Sequence, residues 1–179
     1  MNSPVIDLVA VDDAATRAAA RDLIAEYLHW IASSAAANYG LSFDVDAMVR
    51  SDLDDRAKFY PPSGRFYVIR QSGTYFGVGC LKRLAPTVAE VQRMYVQPHV
   101  RGVGAGRRLM QQLLADARDI GYEVVRLESL KFLSAAHTLY KSVGFVETAP
   151  YAKNSMKQFQ PAETMNMYHS SAVFMEMRL

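Results

Sequence analysis

Residues 101–106 read Arg-Gly-Val-Gly-Ala-Gly, and this glycine-rich segment constrains the fold more than any other part of the chain. An extended stretch, 88–96, precedes it. An amphipathic stretch, 104–120, follows, with Leu109, Met110, Leu113, Leu114 and Ala117 on one face and Gly121 as its stop. The order strand, glycine turn, helix has a chemical consequence. A helix start presents backbone N–H groups that have no intrahelical acceptor and carries a partial positive charge. Glycines let a bulky diphosphate approach those groups because no Cβ intervenes. Arg101, Arg107 and Arg108 add positive charge close by. The competing reading is a tight turn that binds nothing. Two common phosphate-binding patterns fail here. The Walker pattern needs Gly-Lys-Ser/Thr, whereas Gly106 is followed by Arg107 and Arg108. The dinucleotide pattern would place its third glycine at Arg107 and belongs to the first βα turn of a parallel sheet.

The elements around the turn point to an α/β fold. A short strand is expected over 5–11 and a helix over 13–37, with Asp12 or Asp13 as N-cap and Gly40 as breaker. A second helix begins near Asp44, and Pro61, Pro62 and Gly64 mark a turn. Strands over 65–71, 74–84 and 88–96 form an antiparallel meander, with Ser72-Gly73 as a hairpin turn. After the helix at 104–120 come a strand (123–129), a short helix (134–143) and two strands (145–148 and 172–178). Residues 149–170 read as a long polar connection. The expected architecture is one domain over 1–179, a mixed, mostly antiparallel sheet flanked by helices.

Composition narrows the partners. The chain has 179 residues, half of them hydrophobic, which is enough for a substantial core. A net charge of +2 with no long basic run gives no reason to expect nucleic acid or an anionic membrane. No run approaches the ~18 apolar residues of a membrane span. Asp7, Asp12 and Asp13 interrupt the N-terminus where a signal peptide would be apolar. The expectation is a cytoplasmic protein; the oligomeric state is open, and a homodimer is compatible with the sequence. Cys80 is the only cysteine, so neither an internal disulfide nor a multi-cysteine zinc site can form, and its apolar surroundings suggest a buried small side chain. His29, His99, His137 and His169 lack metal-ligand spacing, and His137 reads as solvent-facing or capping. No metal is expected.

Two further segments carry chemistry. Residues 90–98 read EVQRMYVQP, and strict alternation sends Glu90, Gln92, Met94 and Val96 one way and Val91, Arg93 and Tyr95 the other. Glu90 could pair with Arg93 or another cation, or face water. Arg93 could orient Glu90 or lie at the surface. Residues 136–145 read AHTLYKSVGF, which puts Ala136 and Tyr140 on one helical face.

With these three segments in place, the chain resembles the GCN5-related N-acetyltransferase (GNAT) family. RGVGAG is similar to its Q/R-x-x-G-x-G/A signature, and AHTLYKSVGF to its A-x-x-L-Y-x-x-x-G-F segment. The resemblance implies an acyl-CoA-dependent N-acetyltransferase with acetyl-CoA as cosubstrate and an unidentified amine as acceptor. The implied pyrophosphate binders are Arg101, Gly102, Val103, Gly104, Ala105, Gly106 and Arg107. Met94, Tyr95 and Val96 would follow the pantetheine arm along a strand splayed from its neighbour. Glu90 would be the base that deprotonates the amine, directly or through water, and Tyr140 the acid that protonates the departing sulfur. The family often has Asn seven positions before this tyrosine; here Leu133 stands there, and Ser134 is a candidate substitute. The acceptor side would lie near Tyr27, Trp30, Tyr39 and Phe43, with residues 150–168 opposite. Tyr27 and Trp30 are the substrate-contact candidates, although core packing of the first helix also explains them. The acids Asp44, Asp46, Asp52, Asp54 and Asp55 could favour a cationic amine or form a solvated helix face. The alternatives to an enzyme are a sensor that binds acyl-CoA without turnover and a nucleotide-binding protein.

Overall fold

The computed structural model describes residues 6–152, 156, 159 and 161–179. Strand β1 (Asp7–Ala10) leads into the long helix α1 (Ala14–Tyr39). Asp13 is the cap of α1: its Oδ1 accepts from the Thr16 amide at 2.7 Å, and its own amide donates to Thr16 Oγ1 at 3.2 Å. Gly40, at φ +67°, ends the helix in a left-handed conformation. α1 buries Ala20, Leu23, Ile24, Leu28, Ile31 and Ala35, which recur every three or four residues. Helix α2 (Val45–Asp54) and a single turn, α3 (Arg56–Phe59), follow.

Strands β2 (Arg65–Gln71), β3 (Thr74–Ala85) and β4 (Val88–Val96) form the expected meander. Helix α4 (Ala105–Ile120) returns the chain to β5 (Val124–Leu130). Helix α5 (Ser134–Ser142), β6 (Val146–Thr148), helix α6 (Met165–Ser171) and β7 (Ala172–Arg178) complete the order. The sheet runs β1-β2-β3-β4-β5-β7-β6. Its pairs are antiparallel except β4–β5, where the crossover through α4 produces a parallel pair. One core packs α1 and α2 on one face of the sheet, through Leu23, Ile24 and Met48 against Phe66 and Val68. A second packs α4 on the opposite face, through Leu109, Met110 and Leu113 against Ile69 and Leu81.

Four details depart from the sequence reading. α3 is a separate helical turn that the sequence reading did not distinguish, and α6 lies largely where a polar connection was expected. α3 starts because Asp55 Oδ1 accepts from the Ala57 amide at 2.9 Å. α6 lacks a side-chain cap and is placed by packing, with Tyr168 and His169 edge-on to Phe174. Asp52 is not part of a solvated face: it is fully buried between Lys58 and Arg93. Finally, the alternation of β4 breaks at Arg93.

That break is a β-bulge. Cys80 pairs with Gln92 and Val78 with Tyr95, so Arg93 and Met94 together oppose Gly79. Arg93 adopts φ +54°. The extra residue reverses the phase of the strand. Met94 and Val96 pack with Val91 on the α4 face. Arg93 and Tyr95 turn to the α1–α2 face, where Arg93 meets Asp52. The expected grouping of Glu90 and Gln92 with Met94 and Val96 is therefore wrong, because alternation holds only where no residue is inserted.

Candidate active site

β4 and β5 pair only from Val88↔Val124 to Glu90↔Arg126. Beyond that point β4 stays with β3, and β5 stays with β7 through Leu130↔Ala172. The inner edges separate, leaving the backbone from Val91 to Val96 open toward β5. An open strand edge needs partners from outside the sheet. The cleft that forms there has a volume of about 510 Å³.

The cleft gathers the segments singled out from sequence. Met94, Tyr95 and Val96 form its strand side; Arg101, Gly102, Gly104, Ala105, Gly106 and Arg107 form one end; Tyr140 faces them from α5. Met94 and Tyr95 point to opposite faces of β4 and line one cleft because it opens along the strand's edge. Val103 is the exception, with its side chain exposed in solvent.

The turn fits a phosphate group. Gly104 is the N-cap of α4 at φ +83° and supplies no side-chain cap, so the first-turn amides have no acceptor from it. Gly102 has φ +86°, and a Cβ at either glycine would meet nothing within 4 Å. The space above the amides is open to an anion. Arg101 folds back over the rings of Trp30 and Tyr95, 5.7 and 5.8 Å from their centroids, and its Nε donates to the Val96 carbonyl at 2.7 Å. Arg107 donates to Ser142 Oγ at 2.8 Å, tying α4 to α5. Arg108 turns away to the Ile6 carbonyl. Tyr95 is held by its hydroxyl, which donates to Glu26 Oε1 at 2.6 Å; burial, then this bond, pushes its phenol to about 12.

Tyr140 is buried at the cleft wall against Phe145. Burial pushes its phenol up, with Tyr27 adding to the effect, so it stays protonated near neutral pH. Leu133 and Ser134 also line the cleft, where Leu133 contributes an apolar wall in place of an amide. His137 is half-buried, with its Nε2 3.2 Å from Ser129 Oγ, rather than solvent-facing.

A smaller cavity of about 70 Å³ adjoins the cleft, and Tyr27 and Leu133 line both. Its walls include Phe43, Met48, Gln92, Glu128 and Tyr168. Trp30, expected here, lines only the larger cleft, while Tyr39 stacks near Phe132, 6.3 Å between centroids. Gln92, Glu128 and Tyr168 were not singled out from sequence. The available signal was a charged residue and an amide inside otherwise apolar strands.

Glu90 is fully buried and lines neither cavity. Its Oε2 accepts from the Tyr151 hydroxyl at 2.8 Å and its Oε1 from the Gln92 amide, with Lys82 Nζ 3.8 Å away. Burial raises its carboxyl above the usual range; Lys82 opposes this most, followed by the bonds from Gln92 and Tyr151. Arg93, the expected partner, is taken by Asp52. Among the described residues, no group of three or more His, Cys, Asp or Glu side chains is placed to hold a metal ion, and no helix is long and apolar enough to cross a membrane.

The opening between the two parallel strands ends at the N-terminus of α4, whose backbone N–H groups are suited to receive an anion. Residues 25–145 match the sequence profile of the acetyltransferase (GNAT) family, and the chain belongs to that family. A relative, the IAA acetyltransferase of Azospirillum brasilense, is 37% identical over 101 residues, spanning 56% of this chain and 64% of the relative. The uncharacterised N-acetyltransferase YjgM of Escherichia coli is 32% identical over 115 residues, 62% of this chain and 69% of its own. The fold is shared with an acetyltransferase of the GNAT family from Staphylococcus aureus (TM-score 0.72, 15% identity, 98% and 99% of the two chains). It is also shared with the PaiA N-acetyltransferase of Thermoplasma acidophilum, solved with coenzyme A (TM-score 0.67, 16% identity, 98% and 99%).

Proposed function

We propose that this chain transfers an acetyl group from acetyl-CoA to a primary amine. The observation that carries the reading is the coincidence of the open β4 edge, the glycine turn at the α4 N-terminus and Tyr140 in one cleft. The amides of residues 102–107 hold the pyrophosphate, and the edge of Met94, Tyr95 and Val96 pairs with the pantetheine amides. Arg101 and Arg107 supply positive charge at the same end.

The smaller cavity receives the amine next to the thioester. The amine nitrogen forms a bond to the acetyl carbon as the carbon–sulfur bond breaks. Tyr140 donates its hydroxyl proton to the departing sulfur. The ammonium gives one proton to Glu90, and the second, lost as the nitrogen becomes an amide, returns through water to the Tyr140 oxygen that protonated the sulfur. Because Glu90 touches neither cavity, it acts through an intervening water rather than by contact. Holding both reactants in adjoining spaces supplies much of the rate. Tyr27 and Leu133 form the boundary where they meet.

Release of free thiol from acetyl-CoA across small amines, amino acids, aminoglycosides and peptides tests the reading. Tyr140→Phe should lower turnover by about 10²-fold or more while leaving coenzyme A affinity nearly unchanged. An unaltered turnover removes Tyr140 from the chemistry. The full burial of Glu90 is the observation that favours the other reading, an acyl-CoA sensor without turnover. Tight coenzyme A binding with no thiol release for any amine would select it.

A further inference from the structure

Gln92 lines the smaller cavity and is only 6% exposed. Its amide nitrogen donates to Glu90 Oε1, an acceptor that fixes which way the amide faces. Tyr151 occupies the other carboxylate oxygen and holds Glu90 in place. The Gln92 carbonyl oxygen, Oε1, is buried and has no hydrogen-bond partner among the described residues. A buried acceptor without a donor is costly unless something else supplies one. The same cavity has room for about five times the ~10–15 Å³ that one water needs and is walled by Leu28, Ile31, Phe43 and Met48. Glu128, which accepts from the Tyr168 hydroxyl, brings a negative charge to its lining. The Arg93 guanidinium is committed to Asp52 and does not offset that charge alone.

We infer that Gln92 seats the acceptor: its Oε1 takes an N–H of a primary amine carried on a short apolar chain. Glu90 fixes the amide in the orientation that makes this contact. The inference rests on the acyl-transfer reading for the identity of the ligand as acceptor. It adds the residue that recognises the amine and the chemistry of the body behind it. Leu28, Ile31, Phe43 and Met48 supply the apolar part of the lining that faces that body.

The test is calorimetric titration of isobutylamine, and of its N,N,N-trimethyl counterpart, into the full chain saturated with coenzyme A. The two probes share a charge, and only the first has N–H donors. The wild-type protein should bind the primary amine at least about tenfold more tightly. Gln92→Met should weaken the primary amine by about 10- to 100-fold, the size of one hydrogen bond to a charged group. It should leave the trimethyl probe and coenzyme A within about threefold of their wild-type values. A purely structural role would weaken all three ligands together. Equal binding of the primary amine by the variant overturns the inference. So does failure of the wild-type protein to bind isobutylamine or to prefer it, a comparison that stands even if the variant does not fold. Amine binding without thiol release would leave Gln92 in place and overturn acyl transfer instead.

Discussion

Gly104 offers a way to separate the phosphate turn's role in binding from its role in folding. It sits at φ +83° and ψ 2° at the N-cap of α4. Alanine there would meet no atom within 4 Å, so the folded chain pays only for a left-handed backbone, about 1–2 kcal/mol. At this chain length that corresponds to a fall in Tm of roughly 2–8 °C. Gly121 is a matched control: φ +96°, at the other end of the same helix, with nothing within 4 Å of a Cβ and no place in the cleft. Gly104→Ala and Gly121→Ala should therefore lose similar stability. Their effects on coenzyme A should differ. On the proposed reading, a methyl group at Gly104 would stand where the pyrophosphate approaches the first-turn amides, and losing one charge-assisted hydrogen bond costs about 1.5–3 kcal/mol, or about 10- to 100-fold in affinity. Trp30 is the single tryptophan and lines the cleft, so quenching of its fluorescence reports the titration. Equal coenzyme A affinity in Gly104→Ala and the wild-type protein would refute the phosphate role of the turn.

Two further perturbations address the buried charges. Lys82 is the strongest influence opposing the upward push of burial on Glu90. Lys82→Met should move the Glu90 carboxyl further up; on the proposed reading, in which Glu90 is the base and acts when ionised, the acidic limb of kcat/KM against pH should shift to higher pH. An unmoved limb would show that Glu90 does not set it. The same raised carboxyl makes its contribution to stability largest below the ordinary Glu pKa and lost as pH rises through the folded value, so Lys82→Met should steepen the loss of stability with rising pH. Asp52→Ala would strand the buried cations Lys58 and Arg93, costing about 3–5 kcal/mol, read as a fall in Tm of roughly 6–20 °C. Burial already lowers the Lys58 pKa, and Asp52 is the main influence opposing it, so the deficit in this variant should shrink as pH rises and Lys58 sheds its proton. A deficit that does not change with pH would place the cost elsewhere.

Local rules carried the sequence reading a long way. The cap at Asp13, the helix breakers Gly40 and Gly121, and the 3.6-residue stripe of α4 act within one turn of chain, and each appears where it was expected. The polar segment at 165–171 was not legible as helix, because its turn is set by Tyr168 and His169 packing on Phe174 rather than by a cap or stripe. The Gly-rich turn and Tyr140 were recognisable for the same local reason, and their meeting in one cleft follows from the strand order.

The partners of Glu90, Gln92 and Arg93 belong to the tertiary structure. Nothing within EVQRMYV marks Arg93 as the inserted residue; the bulge exists because two residues of β4 oppose Gly79 of β3. That insertion sends Arg93 to Asp52, 41 positions away, and denies it to Glu90. Glu90 then takes Gln92 and Tyr151 as partners, and the Gln92 carbonyl is left without one among the described residues. Burial and pairing of charged groups depend on which distant surfaces close over them. Strand alternation and motif spacing hold only along the chain. The sequence alone therefore determined the glycine-rich turn and the helix after it, both built from local geometry. Only the folded sheet decided the surroundings of Glu90, Gln92 and Arg93, because their partners come from other elements.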